Sequence, residues 1–173
     1  AAQKLAPEHW QARFNEVDVG DSAYWVVLHE LGHTLGLKHG HANDRPGPTE
    51  DLLPAALNSM EFSVMTYHRY VGDTAPFNDT EEGSFAQSLM MLDIAAIQYM
   101  YGANFNSSAG NTVYTFSTTT GEMFIDGVGQ GTPQANRIFR SIWDGNGIDT
   151  YDLSNYSANL QIDLAPGGSS MFD

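Results

Sequence analysis

His29-Glu30-Leu31-Gly32-His33-Thr34-Leu35-Gly36-Leu37-Lys38-His39 is the stretch on which the reading of this chain turns. It has the form HExxHxxGxxH. A helix turns once in about 3.6 residues, so His29 and His33 share a face and bring two imidazoles to one metal ion. Glu30, beside the first ligand, reaches water on that ion rather than the ion itself. Gly36 has the backbone freedom to end the helix and turn the chain back, which lets His39 close a third position. Three neutral nitrogens with a fourth position open describe a catalytic zinc site, because structural zinc sites fill all four. A helix that merely carried surface histidines would leave Glu30 and Gly36 unexplained.

Outward from the motif, Asp21 or Ser22 is suited to cap a helix over 22–37. Val27, Leu28, Leu31 and Leu35 form its apolar stripe, while His29 and His33 face a cleft. Upstream, Pro7 and Trp10 suggest a short amphipathic turn or helix, and 18–21 read as a loop. The 40–58 segment holds three of the seven prolines and reads as irregular. Ser84 is placed to cap a second helix over 84–101, with Phe85, Leu89, Leu92, Ala96 and Met100 at helical spacing, and Gly102 ends it. Beyond Asn104 the texture changes to short β-type runs at 113–116, 123–125, 138–143 and 160–164, separated by Gly and Asn turns. The fold class expected is α+β, with 1–105 as one domain and 106–173 as the beginning of a second.

Composition narrows the function classes. At 173 residues the chain makes one domain, or one plus part of another. Acidic residues number 21 and basic residues 7, a net charge of −14 with the basic ones scattered, which argues against nucleic acid. No apolar run approaches the roughly 18 residues a membrane helix needs, so no membrane association is expected. Lys4, Glu8 and His9 interrupt any signal-peptide core. Cysteine is absent, so its count identifies no compartment.

The motif resembles that of the metzincin metalloproteases, and Ser63-Val64-Met65-Thr66-Tyr67, which places Met65 26 residues after His39, resembles their Met-turn. The segments Leu92-Asp93-Ile94-Ala95-Ala96-Ile97-Gln98-Tyr99-Met100-Tyr101-Gly102-Ala103-Asn104, Gly110-Asn111-Thr112-Val113-Tyr114 and Ile142-Trp143-Asp144-Gly145-Asn146-Gly147-Ile148-Asp149-Thr150-Tyr151-Asp152-Leu153-Ser154 are similar to the serralysin, or alkaline protease, branch. The resemblance implies a zinc endopeptidase acting on protein or peptide substrates. It also implies the end of a protease domain running into a calcium-binding β-roll or β-sandwich, and secretion to the extracellular space by export directed from the C-terminus. Met65 would lie beneath the zinc-bound imidazoles, and Tyr67 would approach the zinc and stabilise the reacting carbonyl oxygen. Family members carry most of a twisted sheet before the zinc helix, whereas 28 residues precede His29 here. A middle piece is therefore expected: a nicked product, a crystallised fragment, or half of a two-chain assembly with a complementary N-terminal polypeptide.

Zinc on His29, His33 and His39 would lower the pKa of a bound water toward neutrality. Glu30 would take the water's proton and hand it to the departing amine. Glu61 is an alternative third ligand but lacks a helical context. His41 is two residues off the spacing and is expected to be a solvated loop histidine. His9 and His68 have no partner pattern, and Asp93 reads as a structural hydrogen-bond acceptor.

Calcium prefers carboxylates and carbonyls on flexible Gly-rich turns. Asp144 and Asp149 flank Gly145-Asn146-Gly147 in that manner. By resemblance the carbonyls of Ser108, Gly110, Thr112 and Asn146 would complete the shell, and Gly147 with Asp149 would begin a second site. Asn146 replaces the family's usual glycine and Asn111 its usual aspartate, and a plain Asp/Gly β-turn is the alternative. Two further functional alternatives stand beside the peptidase: a catalytically incompetent, calcium-dependent scaffold piece, and zinc-dependent hydrolysis of a non-peptide amide.

Overall fold

The computed structural model describes residues 16–41, 52–73 and 80–172. The turn expected around Pro7 and Trp10, together with His9, lies outside them. Helix α1 spans Ser22–Thr34 and is capped by Asp21, whose carboxylate accepts the Tyr24 amide at 2.6 Å and the Asp18 amide at 2.9 Å. These bonds satisfy an orphan donor of the first turn and close the loop before it. The helix ends three residues short of the expected 37.

Its buried face also differs from the expected leucine stripe. Ala23, Trp25, His29 and Gly32 face inward, while Val27 and Leu31 are 49% and 45% exposed. Trp25 packs with Met60, Val64, Met65, Phe85, Ala86 and Met90, and Leu28 and Leu37 close the margin of that core. One tryptophan and a glycine that admits a methionine let this side approach the core closely. Val27 and Leu31 therefore point away from it.

Helix α2 covers Met91–Tyr101 rather than 84–101. Residues before it spend their amides on distant partners: Phe85 donates to Gly20 O at 3.1 Å and Gln87 to Phe139 O at 2.8 Å. Those bonds are incompatible with an i→i−4 ladder. Asp93 instead accepts the Met90 amide at 2.9 Å, so the helix begins at Met91, about two turns later.

The C-terminal half is built of short strands. β1 (Val113–Phe116) pairs antiparallel with β2 (Met123–Ile125), which pairs with β3 (Val128–Gly129), and β4 (Thr150–Asp152) runs parallel on the other side of β1. Asp126 and Gly127 join β2 to β3 with φ of 50° and 77°, the two-residue Asp-Gly turn whose twist suits a hairpin. β1 alternates so that Tyr114 and Phe116 point inward and form a second core with Met123.

Two β expectations need correction. The run at 160–164 contributes only β5 (Leu160–Gln161), paired with β6 (Met171–Phe172), because the Asp163 amide goes to Ser170 Oγ at 3.0 Å. The run at 138–143 forms no strand. Its groups bond instead to the segment before α2: Gln87 N and Nε2 reach Phe139 O and Arg137 O, and Ser141 N reaches Ser88 Oγ. Phe139 packs on the Trp25 core while Ile138 and Ile142 pack on the Tyr114 core. The segment thus joins the two cores. Among the described residues no helix is long and apolar enough to cross a membrane.

Candidate metal centre

The end of α1 sets the geometry. Gly36 has φ 94°, the Leu37 amide reaches back to Gly32 O at 2.9 Å, and the Gly36 amide reaches His33 O at 3.0 Å. This pair of bonds is a Schellman motif. It reverses the chain and aims Leu37 O at the helix, where it meets His33 Nδ1 at 3.0 Å. Two residues on, His39 arrives opposite His29 and His33.

Among the described residues, the one group of three His, Cys, Asp or Glu donors that converge is His29, His33 and His39, whose ligand atoms lie within 4.8 Å of one another. His39 Nε2 is 3.0 Å from His29 Nε2 and 3.1 Å from His33 Nε2. His29 Nδ1 lies 2.8 Å from Val64 O and His33 Nδ1 3.0 Å from Leu37 O. A carbonyl only accepts, so both Nδ1 atoms carry the proton and both Nε2 atoms present a lone pair. His39 has at most one Nε2 proton for two such neighbours. A cation between the three satisfies all of them, and nitrogens around a tetrahedral zinc stand roughly 3.3 Å apart. The residues fit zinc. Burial further lowers the His29 pKa, against the Val64 hydrogen bond that raises it, and favours the neutral ring a metal requires.

The 63–67 turn lies beneath this cluster. Met65 is buried, its sulfur pressed where a Cβ on Gly32 would stand. Tyr67 stacks on His29 with centroids 5.4 Å apart, and its hydroxyl is 3.2 Å from His39 Nε2. Glu30 is exposed, one residue from His29. Asp93 holds the turn from behind, accepting Ser63 Oγ at 2.6 Å and the Val64 amide at 2.8 Å. Burial pushes its carboxyl pKa up, while those bonds pull it down. One residue thus links two functions: Asp93 holds the Val64 amide, and Val64 O braces His29.

Sequence reasoning missed the carbonyls of Leu37 and Val64 and the need for glycine at 32, a variable position of the motif. The Schellman spacing was a usable signal for Leu37. Nothing local signals Val64, 35 residues from His29. His41 is a correction. It is 5% exposed rather than solvated, stacked on His39 at 5.1 Å and 4.5 Å from Tyr67. Gly40 bonds to Met65 O and to Leu53, which folds His41 inward. Glu61 accepts Ser59 Oγ at 3.0 Å and stands outside the cluster, and His68 Nδ1 meets Asp73 O at 3.0 Å.

The oxygen donors expected for calcium lie on two interlocked loops. Gly145 N donates to Ser107 O at 2.8 Å, Ile148 N to Asn111 Oδ1 at 3.0 Å, and Thr112 N to Asp149 Oδ1 at 3.0 Å. Thr112 Oγ1 approaches Ser108 O at 3.3 Å. Asp144 accepts Tyr114 Oη at 2.6 Å and Asn146 N at 3.1 Å. A Cβ on Gly147 would strike Gly110 O and approach Asp149 Oδ1. Carbonyls and carboxylates meeting at a glycine cradle fit a hard cation in kind.

The Met-zincin family profile matches residues 11–114, and that of the peptidase M10 serralysin C terminal matches 103–171. Metallopeptidase AprA of Pseudomonas marginalis is 36% identical over 149 residues, 85% of this chain and 30% of that protein. Serralysin C of Dickeya chrysanthemi is 38% identical over 147 residues, covering 84% and 29%, and serralysin of Proteus mirabilis is 33% identical over 157, covering 88% and 30%. The chain therefore spans about 30% of the length of these relatives. A Met-zincin match over more than half of the chain, continued by the serralysin C-terminal match, makes this chain a metzincin of the serralysin branch.

Proposed function

We propose that this chain carries the zinc-binding part of a secreted endopeptidase, with residues 1–105 belonging to the protease domain and 106–173 opening a calcium-binding β domain. The convergence of three Nε2 atoms, two of them backed by backbone carbonyls, supports this best. His29, His33 and His39 would hold zinc, which when bound supplies Lewis acidity toward water and the substrate carbonyl oxygen. Glu30 accepts the attacking water's proton on its carboxylate and delivers it to the leaving amine nitrogen. The Tyr67 hydroxyl donates to the carbonyl oxygen as negative charge develops there, and Met65 supports the imidazoles from below. Asp144, Asp149 and Asn146 with the carbonyls of Ser108, Gly110 and Thr112 would hold calcium, and Gly147 with Asp149 would begin a second site.

The test is a fluorogenic peptide assay with metal analysis, on the chain together with every polypeptide that co-purifies. Glu30→Gln should lose about 10²–10⁴-fold in turnover with zinc content unchanged, and chelation should abolish the remainder. Equal turnover by wild type and Glu30→Gln with zinc bound removes the endopeptidase reading.

A second reading is supported by the open outer face of α1, where Val27 and Leu31 are exposed. In it the chain is a scaffold piece that becomes competent only when a complementary N-terminal polypeptide covers that face and supplies the sheet edge on which a substrate strand pairs.

A further inference from the structure

We infer that Tyr114 is a positioning residue for calcium: its buried hydroxyl fixes the Asp144 carboxylate in advance and ties occupancy of the turn to the core of the β domain. This rests on the calcium reading above. Tyr114 Oη donates to Asp144 Oδ2 at 2.6 Å, and Asn146 N donates to Oδ1 at 3.1 Å. Each oxygen thereby accepts one bond and keeps a second lone pair for an ion, while the carboxylate is held in orientation from both sides. Ser108, whose carbonyl belongs to the same donor set, approaches the phenol oxygen as well. A single hydroxyl therefore stands where the two donor loops meet.

The phenol itself has little freedom. Tyr114 is 1% exposed, sits centrally on β1 opposite Ile125 and Tyr151, and stacks on the Tyr151 ring with centroids 5.2 Å apart. A phenol ionises only at about pH 10, so it is a donor throughout the neutral range. An aspartate on a glycine-rich turn otherwise loses rotamer freedom on ligating a metal. One already fixed by a rigid donor has lost it beforehand, the general basis of preorganised affinity. Groups that orient metal ligands without touching the ion typically change affinity by about 10–100-fold when removed.

The experiment is titration of calcium alone into the full chain by calorimetry, with thermal melts in chelator and in excess calcium. Tyr114→Phe keeps the ring and removes the hydroxyl. It should bind calcium about tenfold more weakly and show a smaller calcium-induced rise in Tm than wild type. In an Asp144→Asn background the same substitution should add no further loss. A purely structural tyrosine would lower both melts equally and leave the affinity unchanged, which overturns the inference alone. Wild type that takes up no calcium removes the calcium reading and this inference with it. If Tyr114→Phe does not fold, the tyrosine difference spectrum of wild type decides: a calcium-dependent perturbation upholds the coupling, and its absence overturns it.

Discussion

The histidine cluster and the turn at 144–149 both gather donor atoms, but they hold them by different means. In the first, the rear nitrogens of His29 and His33 rest on backbone carbonyls at 2.8 and 3.0 Å. One carbonyl is set by the Schellman turn and the other belongs to Val64, whose amide Asp93 grips. In the second, largely exposed loops meet through single bonds such as Ile148 N to Asn111 Oδ1, with Asp144 tied to Tyr114 and Asp149 to the buried Thr112 amide. The nitrogen site is organised by the protein before any ion arrives. On the proposed calcium reading, the oxygen site would leave part of that ordering to the ion. Stripping zinc should therefore leave the Trp25 core intact, whereas stripping calcium should loosen the strands around β1.

The largest expected effect strikes the organised side. Asp93→Ala leaves the Val64 and Met90 amides and the Ser63 hydroxyl without their buried acceptor. An unsatisfied buried polar group costs about 1–3 kcal/mol, so a loss of about 3 kcal/mol is expected in denaturant melts. Zinc should also bind about 10–100-fold more weakly, since His29 leans on Val64 O. Asp93→Asn should recover most of both, its carbonyl accepting the two amides and its amide meeting Ser63 Oγ. An asparagine no better than alanine contradicts the bracing account.

A smaller effect separates the regions by pH. Burial raises the pKa of Tyr114 to about 12 and raises those of Tyr151 and Tyr156 in the same β core. The folded chain thus keeps these protons at pH values where the unfolded chain has released them. Their stabilising contribution is complete below the ordinary tyrosine value near 10 and is lost as pH climbs through the raised values, about 12 for Tyr114. Fluorescence of Trp143, which follows Ile142 of that core and packs on Phe105 at its margin with centroids 6.0 Å apart, should report this loosening before that of Trp25 in the first core. Simultaneous loss of both signals would show that the cores do not respond separately.

What could be read from the sequence divides along the range of the interactions. The three zinc-ligand candidates and Gly36 were legible because they depend on one helix's periodicity and one glycine's φ. β1 and β2 were legible to the residue, since alternation and flanking turns are local as well. The segments 84–90 and 138–143 were misread as helix and strand because each spends its polar groups on the other, about 50 residues away. Leucine periodicity on α1 misled for a related reason: Trp25 and Gly32 took the inward face, leaving Val27 and Leu31 outside. Asp93 was legible as a hydrogen-bond acceptor, but its link through Val64 to His29 exists only once the turn has folded against both helices.

That outer face of α1 supplies the smallest expected effect on the chain itself. Leu31 is 45% exposed here, and a polar replacement at such a position normally changes stability by no more than about 0.5 kcal/mol. Leu31→Gln should leave the melt and zinc stoichiometry of the isolated chain at wild-type values. If a complementary polypeptide covers α1, Leu31→Gln should weaken that association in sedimentation or native mass measurements while the isolated chain is unaffected. A large loss of stability in the isolated chain would instead mean that Leu31 is already packed in solution. The open face would then no longer support the need for a partner.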